Sequence, residues 1–323
     1  MASTARTVPK KRPAPPADAR LHAAVDAELH LMGATRLGEF LQFVRQRAIG
    51  GRALDECAVA DQWRAAAKHY EGLQISQAGA ADKLQIMPMP TSMHAHIAKL
   101  SALPSFAATF CNVPIAFGMV PLAQLVCAQF DITISTLEAL KATLRASKPS
   151  PSQLAKLCLP LEPAHGECVV GRETQGEFVF HSNSHDLRFL GAQLVPVDQI
   201  TGYQPNGHAR AAVVLGVGFS TNVLNVLRYS DRLVLNNGYH RALALLACGI
   251  THAPCVVQVC RHWEDVGLCG MHEIYDNGSL YFTRSRPPQL RDYTNPHLTS
   301  RWPLNRVRRQ ISINITHESV DIA

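Results

Sequence analysis

The sequence predicts an α+β protein, with a helical region over residues 21–146 and a mixed α/β domain over residues 166–283. Three observations predict it. Apolar residues of the first part recur at helical spacing, as in Leu37, Phe40, Leu41 and Val44. From Glu167 the rhythm becomes strand-like, with short apolar runs divided by polar turns. Residues 233–258, LVLNNGYHRALALLACGITHAPCVVQ, then read as strand, tight turn, helix, turn and strand.

At 323 residues and 47% apolar, the chain holds one large domain or two ordinary ones with a real core. The net charge of +6 is unevenly placed. Residues 1–20 carry five basic groups against Asp18, and residues 284–309 carry seven arginines against Asp292. The body between them is therefore acidic. Basic ends of this kind can meet nucleic acid, and more often are solvated tails or ion-paired arms. The first twelve residues are polar and basic with no apolar run behind them, which argues against a secretory signal. Nine cysteines without regular spacing fit reduced thiols, so a cytoplasmic location is expected.

Taken in order, residues 1–20 are rich in Pro, Ala and basic groups and are expected to be a disordered tail. Helices follow: Val59, Trp63 and Tyr70 share a face, and Met93, Ile97 and Leu100 share another after Thr91. Ser135 and Glu138 have capping-box spacing ahead of Leu140 and Leu144. Residues 110–130 lack charge, but Asn112, Pro114, Pro121, Gln124 and Gln129 argue against a membrane span. Pro121 instead suits the first turn of a helix through Gln129. Residues 147–153, SKPSPSQ, have linker composition, and a linker is expected over 147–165. Strands are predicted at 168–171, 178–181, 187–190, 194–197, 212–219 and 222–228. A helix is predicted over 263–271 and a strand around 280–283. Residues 284–323 form a Pro- and Arg-rich extended arm, with Ile311, Ile313 and Ile315 alternating in a terminal strand. That arm, and the helical half, are the surfaces expected to meet a second copy or a protein partner.

The central stretch carries the chemistry. Asn236, Asn237 and Gly238 tolerate the positive φ of a sharp turn, and Ala242, Leu245 and Leu246 fall on one helical face ending at Gly249. The helix would open with unpaired N–H groups beside His240 and Arg241, an arrangement suited to phosphate. The alternative is a structural strand–helix junction, with Arg241 lying over the helix.

Gly238-Tyr239-His240-Arg241, followed by Ala242 and an apolar helix, then Gly249-Ile250 and Pro254 before a strand, resembles the ParB/sulfiredoxin superfamily. The resemblance covers about residues 194–258. Members carry a Gly-x-x-Arg box at this turn, Gly-Cys-His-Arg in sulfiredoxins and Gly-Glu-Arg-Arg in partition proteins. Tyr239 stands where sulfiredoxins have their reactive Cys, and no helix-turn-helix follows. The resemblance thus implies a nucleotide- or phosphate-binding domain rather than sulfinic acid reduction. It implies phosphate contacts from Gly238, His240 and Arg241, with Asn237 and Tyr239 in the same turn. It also implies that the preceding segment, with Phe219, Ser220 and Asn222, lines the base or ribose. On that reading Arg241→Ala abolishes binding and leaves the fold intact. The expected ligand is a nucleoside triphosphate with Mg²⁺, and the reaction class to test is nucleotide hydrolysis or phosphoryl transfer. The alternative is a non-enzymatic DNA-associated adaptor or assembly scaffold.

Other groups carry narrower expectations. His240 and Asp186 are the acid–base candidates, imidazole because it titrates near neutrality and the carboxylate because it lies at a strand start ahead of the turn. Asp186 also suits a Mg²⁺ contact or a salt bridge. Cys260, His262, Cys269 and His272 have zinc-ligand chemistry, but the first gap is shorter than zinc spacings and argues against that metal. Gly216-Val217-Gly218 lacks the third Gly and the following helix of a dinucleotide loop.

Overall fold

The computed structural model describes residues 25–161, 170–174, 177–182, 187–202, 207–219, 221–305 and 309–319. The expected basic tail, Asp186 and Ser220 lie outside the described residues. In order, the first part holds β1 (Val25–Leu31), α1 (Leu37–Arg47), α2 (Glu56–Ser76), α3 (His94–Ser101), α4 (Pro104–Thr109), β2 (Ile115–Pro121), β3 (Val126–Cys127), β4 (Asp131–Thr133) and α5 (Ile134–Ala146). Then come α6 (Pro151–Cys158), β5 (Val170–Thr174), β6 (Glu177–Ser182), β7 (Leu187–Val195), β8 (Ala212–Phe219), β9 (Asn225–Tyr229) and β10 (Arg232–Asn237). The chain continues through α7 (Tyr239–Ala247), β11 (His252–Val259), α8 (Trp263–Cys269), α9 (His272–Asp276), β12 (Thr299–Asn305) and β13 (Arg309–Asn314).

Helices and strands are both abundant, so the class is α+β as predicted. The central sheet has the order β2-β11-β9-β10-β3. β11 runs parallel to β9 and antiparallel to β2, while β10 runs antiparallel to β9 and parallel to β3. Its strands come from both sides of residues 147–165, so the two sequence regions share one sheet and one core. Val226, Leu233, Leu235, Cys255 and Val257 face α7, whose Ala242, Leu243 and Leu245 are fully buried. Each such Leu contributes roughly 1.5–3 kcal/mol through burial. This packing is what fixes the start of α7 beside the end of β10.

Several expectations need correction. Residues 25–31 are a strand, not helix: Val25, Ala27, Leu29 and Leu31 alternate with Asp26, Glu28 and His30. That strand lies between β12 and β4, with Glu28 opposite Trp302 on one side and Thr133 on the other. Residues 115–121 are strand β2, and Pro121 closes it rather than opening a helix. The expected linker contains α6, because Ser150-Pro151-Ser152-Gln153 is a capping box with Pro in the first turn. Ser150 N–H donates to Gln153 Oε1 at 2.8 Å, and Gln153 N–H donates to Ser150 Oγ at 3.3 Å. Ser135 and Glu138 form no such box. Ser135 donates to Asp26, and Glu138 pairs with Lys141 at 2.7 Å. The strand expected around residue 280 is a π-type helical turn, Ser279–Thr283.

The arm packs over the chain's own domain. Arg286 is 1% exposed and grips Asp292 through both guanidinium ends, with Nη1 to Oδ2 at 2.7 Å. Arg291 donates to Gln77 at 2.7 Å. These arginines hold the arm together and do not form part of an open basic surface. Ile311 and Ile313 lie in β13, which pairs with β6. No helix among the described residues is long and apolar enough to cross a membrane.

Candidate functional site

Gly238 stands between β10 and α7 at φ +95°, ψ 25°. A Cβ there would lie 2.6 Å from Leu224 Cδ1 and 3.3 Å from Leu224 Cα. Both the left-handed backbone and the close approach of β9's leading segment therefore require glycine. From this turn α7 starts at Tyr239. The amides of a helix's first turn have no intrahelical acceptor, and its dipole favours an anion there.

The three side chains of the box point to different tasks. Tyr239 is 3% exposed, and its hydroxyl accepts from Ala128 N–H at 2.9 Å while donating to the Leu235 carbonyl. Burial holds this phenol well above its usual range, so it stays protonated and structural. It shapes the turn from beneath and does not stack on a ligand. His240 Nε2 accepts from the Thr133 N–H at 3.0 Å. That bond requires an unprotonated Nε2, so the proton of the neutral ring sits on Nδ1.

Arg241 departs most from expectation. Its Nη1 donates to the carbonyls of Asn222 at 2.7 Å and Leu157 at 3.2 Å, and its Nη2 donates to Asn222 Oδ1 at 2.6 Å. The guanidinium thus ties the end of α6 and the approach to β9 onto the α7 turn. It is a buttress of the site before it is a contact for any ligand. A guanidinium bonded to carbonyls keeps its charge.

The turn forms part of the wall of a cleft of about 960 Å³. Gly238, Tyr239, His240, Arg241, Asn237 and Asn222 all line it. Phe219 does not: it ends the β7–β8 ribbon, paired with Leu187. Three further arginines, Arg47, Arg188 and Arg309, reach the cleft from α1, β7 and β13.

The sequence reading missed the acidic wall. Glu28 of β1 and Asp131 of β4 line the cleft with His240. Glu28 Oε1 accepts from Arg47 at 3.4 Å, and among the described residues its buried Oε2 has no partner. Burial raises the Glu28 carboxyl to about 7, with Asp131 and Asp26 adding to the rise and Arg47 opposing it. The period-2 alternation of Val25–Leu31 was the available signal: it places Asp26, Glu28 and His30 on one strand face. Asn225 and Gln258 were missed as well, being polar residues inside runs that read as buried strand.

The four candidate zinc ligands do not assemble. Cys260 and Cys269 sulfurs lie 3.6 Å apart, but Cys269 donates to the Asp265 carbonyl at 2.8 Å. The Asp265 carboxylate caps α8, accepting from the Arg261 and His262 amides at 2.8 and 3.0 Å. Among the described residues no three His, Cys, Asp or Glu side chains gather as a metal-holding group. Cys269 alone of the four lines the cleft.

No family model, curated protein or solved structure matches this chain.

Proposed function

We propose that the protein binds a nucleotide in this cleft, with its phosphates at the start of α7. One observation carries the reading: the Gly238 turn opens a nine-residue helix at the wall of the 960 Å³ cleft, with His240 and Arg241 in its first turn. Helix dipole, first-turn amides and the arginines of the cleft all favour an anion there. The cleft has the size of a small-molecule or cofactor site. The resemblance to the ParB/sulfiredoxin superfamily points to the same ligand class.

The acidic residues beside His240 support a reaction class. Mg²⁺ is commonly held by one or two carboxylates together with substrate phosphates, and Glu28 and Asp131 supply that pair. Where Asp131 holds the ion, Glu28, whose carboxyl burial raises to about 7, is instead suited to take a proton from an attacking hydroxyl or water. Phosphoryl transfer or nucleotide hydrolysis is therefore the chemistry this cleft fits best. In this reading Glu28 takes the acid–base role expected of Asp186, and His240 positions β4 against the turn.

The test is calorimetry of the intact chain with nucleoside triphosphates and tripolyphosphate, with and without Mg²⁺. Saturable binding of tripolyphosphate and of at least one nucleotide is expected. Absence of heat with every ligand removes the proposal.

A further inference from the structure

We propose that the cleft also selects the nucleobase, and that Asn225, oriented by Gln258, accepts a hydrogen bond from an exocyclic amine on it. The inference rests on nucleotide binding at α7 and names the ligand group at another part of the same cleft.

Asn225 and Gln258 are each 3% exposed, yet both line the cleft. They stand on neighbouring parallel strands, β9 and β11. Asn225 Nδ2 donates to Gln258 Oε1, which turns Asn225 Oδ1 the other way. Among the described residues that oxygen is buried and has no partner. Native interiors satisfy nearly all such acceptors. An acceptor without a donor, on a residue that lines a cleft, is what a site built for a ligand donor presents.

The neighbouring amides are already committed. Asn236 donates to the Cys269 carbonyl at 2.9 Å and accepts from Met271 N–H at 3.0 Å, fixing that loop beside the sheet. Asn222 holds Arg241. Asn225 Oδ1 is the amide oxygen of the cleft lining that is buried and without a partner among the described residues. Phe110, Leu268 and Met271 also line the cleft and supply apolar surface for a planar ring. Phosphate offers this oxygen no donor, and the ribose hydroxyls, common to every nucleotide, would give no preference among bases. An amine on a base meets that oxygen, whereas a carbonyl at the same position places two acceptors face to face.

The experiment measures affinities of ATP, ITP, CTP, UTP and tripolyphosphate, all with Mg²⁺. ATP and ITP differ in amine against carbonyl on the purine, and CTP and UTP in the same way on the pyrimidine. At least one amino nucleotide should bind about tenfold or more tightly than its carbonyl counterpart. Asn225→Leu, close in shape, should abolish that preference and leave tripolyphosphate affinity unchanged. Should that variant not fold, the wild-type comparison decides alone. Equal affinities within both pairs, or a preference for ITP or UTP, overturn base reading while nucleotide binding stands. Loss of tripolyphosphate binding in the wild type overturns both.

Discussion

Arg241 holds Asn222 at two points, its Nη1 on the backbone carbonyl at 2.7 Å and its Nη2 on the side-chain oxygen at 2.6 Å. Together with its bond to Leu157, this makes the guanidinium a clamp among α6, the approach to β9 and α7. Arg241→Met keeps the aliphatic stem and removes the clamp. Part-buried carbonyls lose charged donors, so the variant should be less stable by about 1.5–3 kcal/mol. Urea denaturation measures this. A variant of wild-type stability that binds no nucleotide would restore the simpler picture of Arg241 as a ligand contact alone.

Gly238→Ala tests the turn itself. The substitution places a Cβ at φ +95° and 2.6 Å from Leu224 Cδ1. Left-handed strain and overpacking together should cost about 2–4 kcal/mol. Tripolyphosphate binding should fall with it, since the first turn of α7 must shift. A stability change below about 0.5 kcal/mol, within the range of surface substitutions, contradicts the geometry.

His30 is 7% exposed, stacked on Phe43 at a 4.3 Å centroid distance, and neither ring nitrogen has a partner among the described residues. Burial lowers its pKa from 6.5 to about 4. The folded state therefore resists protonation: its stability is complete above about 6.5 and is lost as pH falls towards 4. His30→Phe should add about 1 kcal/mol at neutral pH. Its advantage over the wild type should widen between pH 6.5 and 4. Parallel stability curves for the two proteins would refute the assignment.

Glu28 acts in the opposite sense. Its folded pKa is raised from 4.5 to about 7, so its contribution is present below 4.5 and is lost as pH rises to 7. Glu28→Gln should match the wild type near pH 4 and exceed its thermal stability at pH 8. If Glu28 takes the proton in a phosphoryl-transfer step, the same variant loses turnover but, measured without Mg²⁺, keeps nucleotide affinity. A variant less stable than the wild type at pH 8 would show that the carboxylate is well compensated in the fold.

The turn at residues 237–241 was legible because its signals are local. Gly238, the apolar spacing behind it and Gly249 all lie within one short stretch. Strand β8 was legible in full for the same reason. The role of Arg241 was not, since its partners Leu157 and Asn222 reach it through folding and carry no mark in the sequence. Glu28 was hidden by a misread period. Its strand was absorbed into a run of helices although Val25, Ala27, Leu29 and Leu31 alternate. The partner that makes the strand necessary, β12, lies far along the chain. Asn225 was hidden by success: it sits in a strand that was expected, and an orphaned amide oxygen is a property of packing alone.

The pairing of β1 with β12 has a consequence for biosynthesis. Glu28 leaves the ribosome early, but the strand that flanks it, ending at Asn305, is made late. Until Thr299–Asn305 arrives, one edge of β1 stays unpaired and the acidic wall lacks its support. The nascent chain can therefore make the α7 turn before the strand that completes the acidic wall.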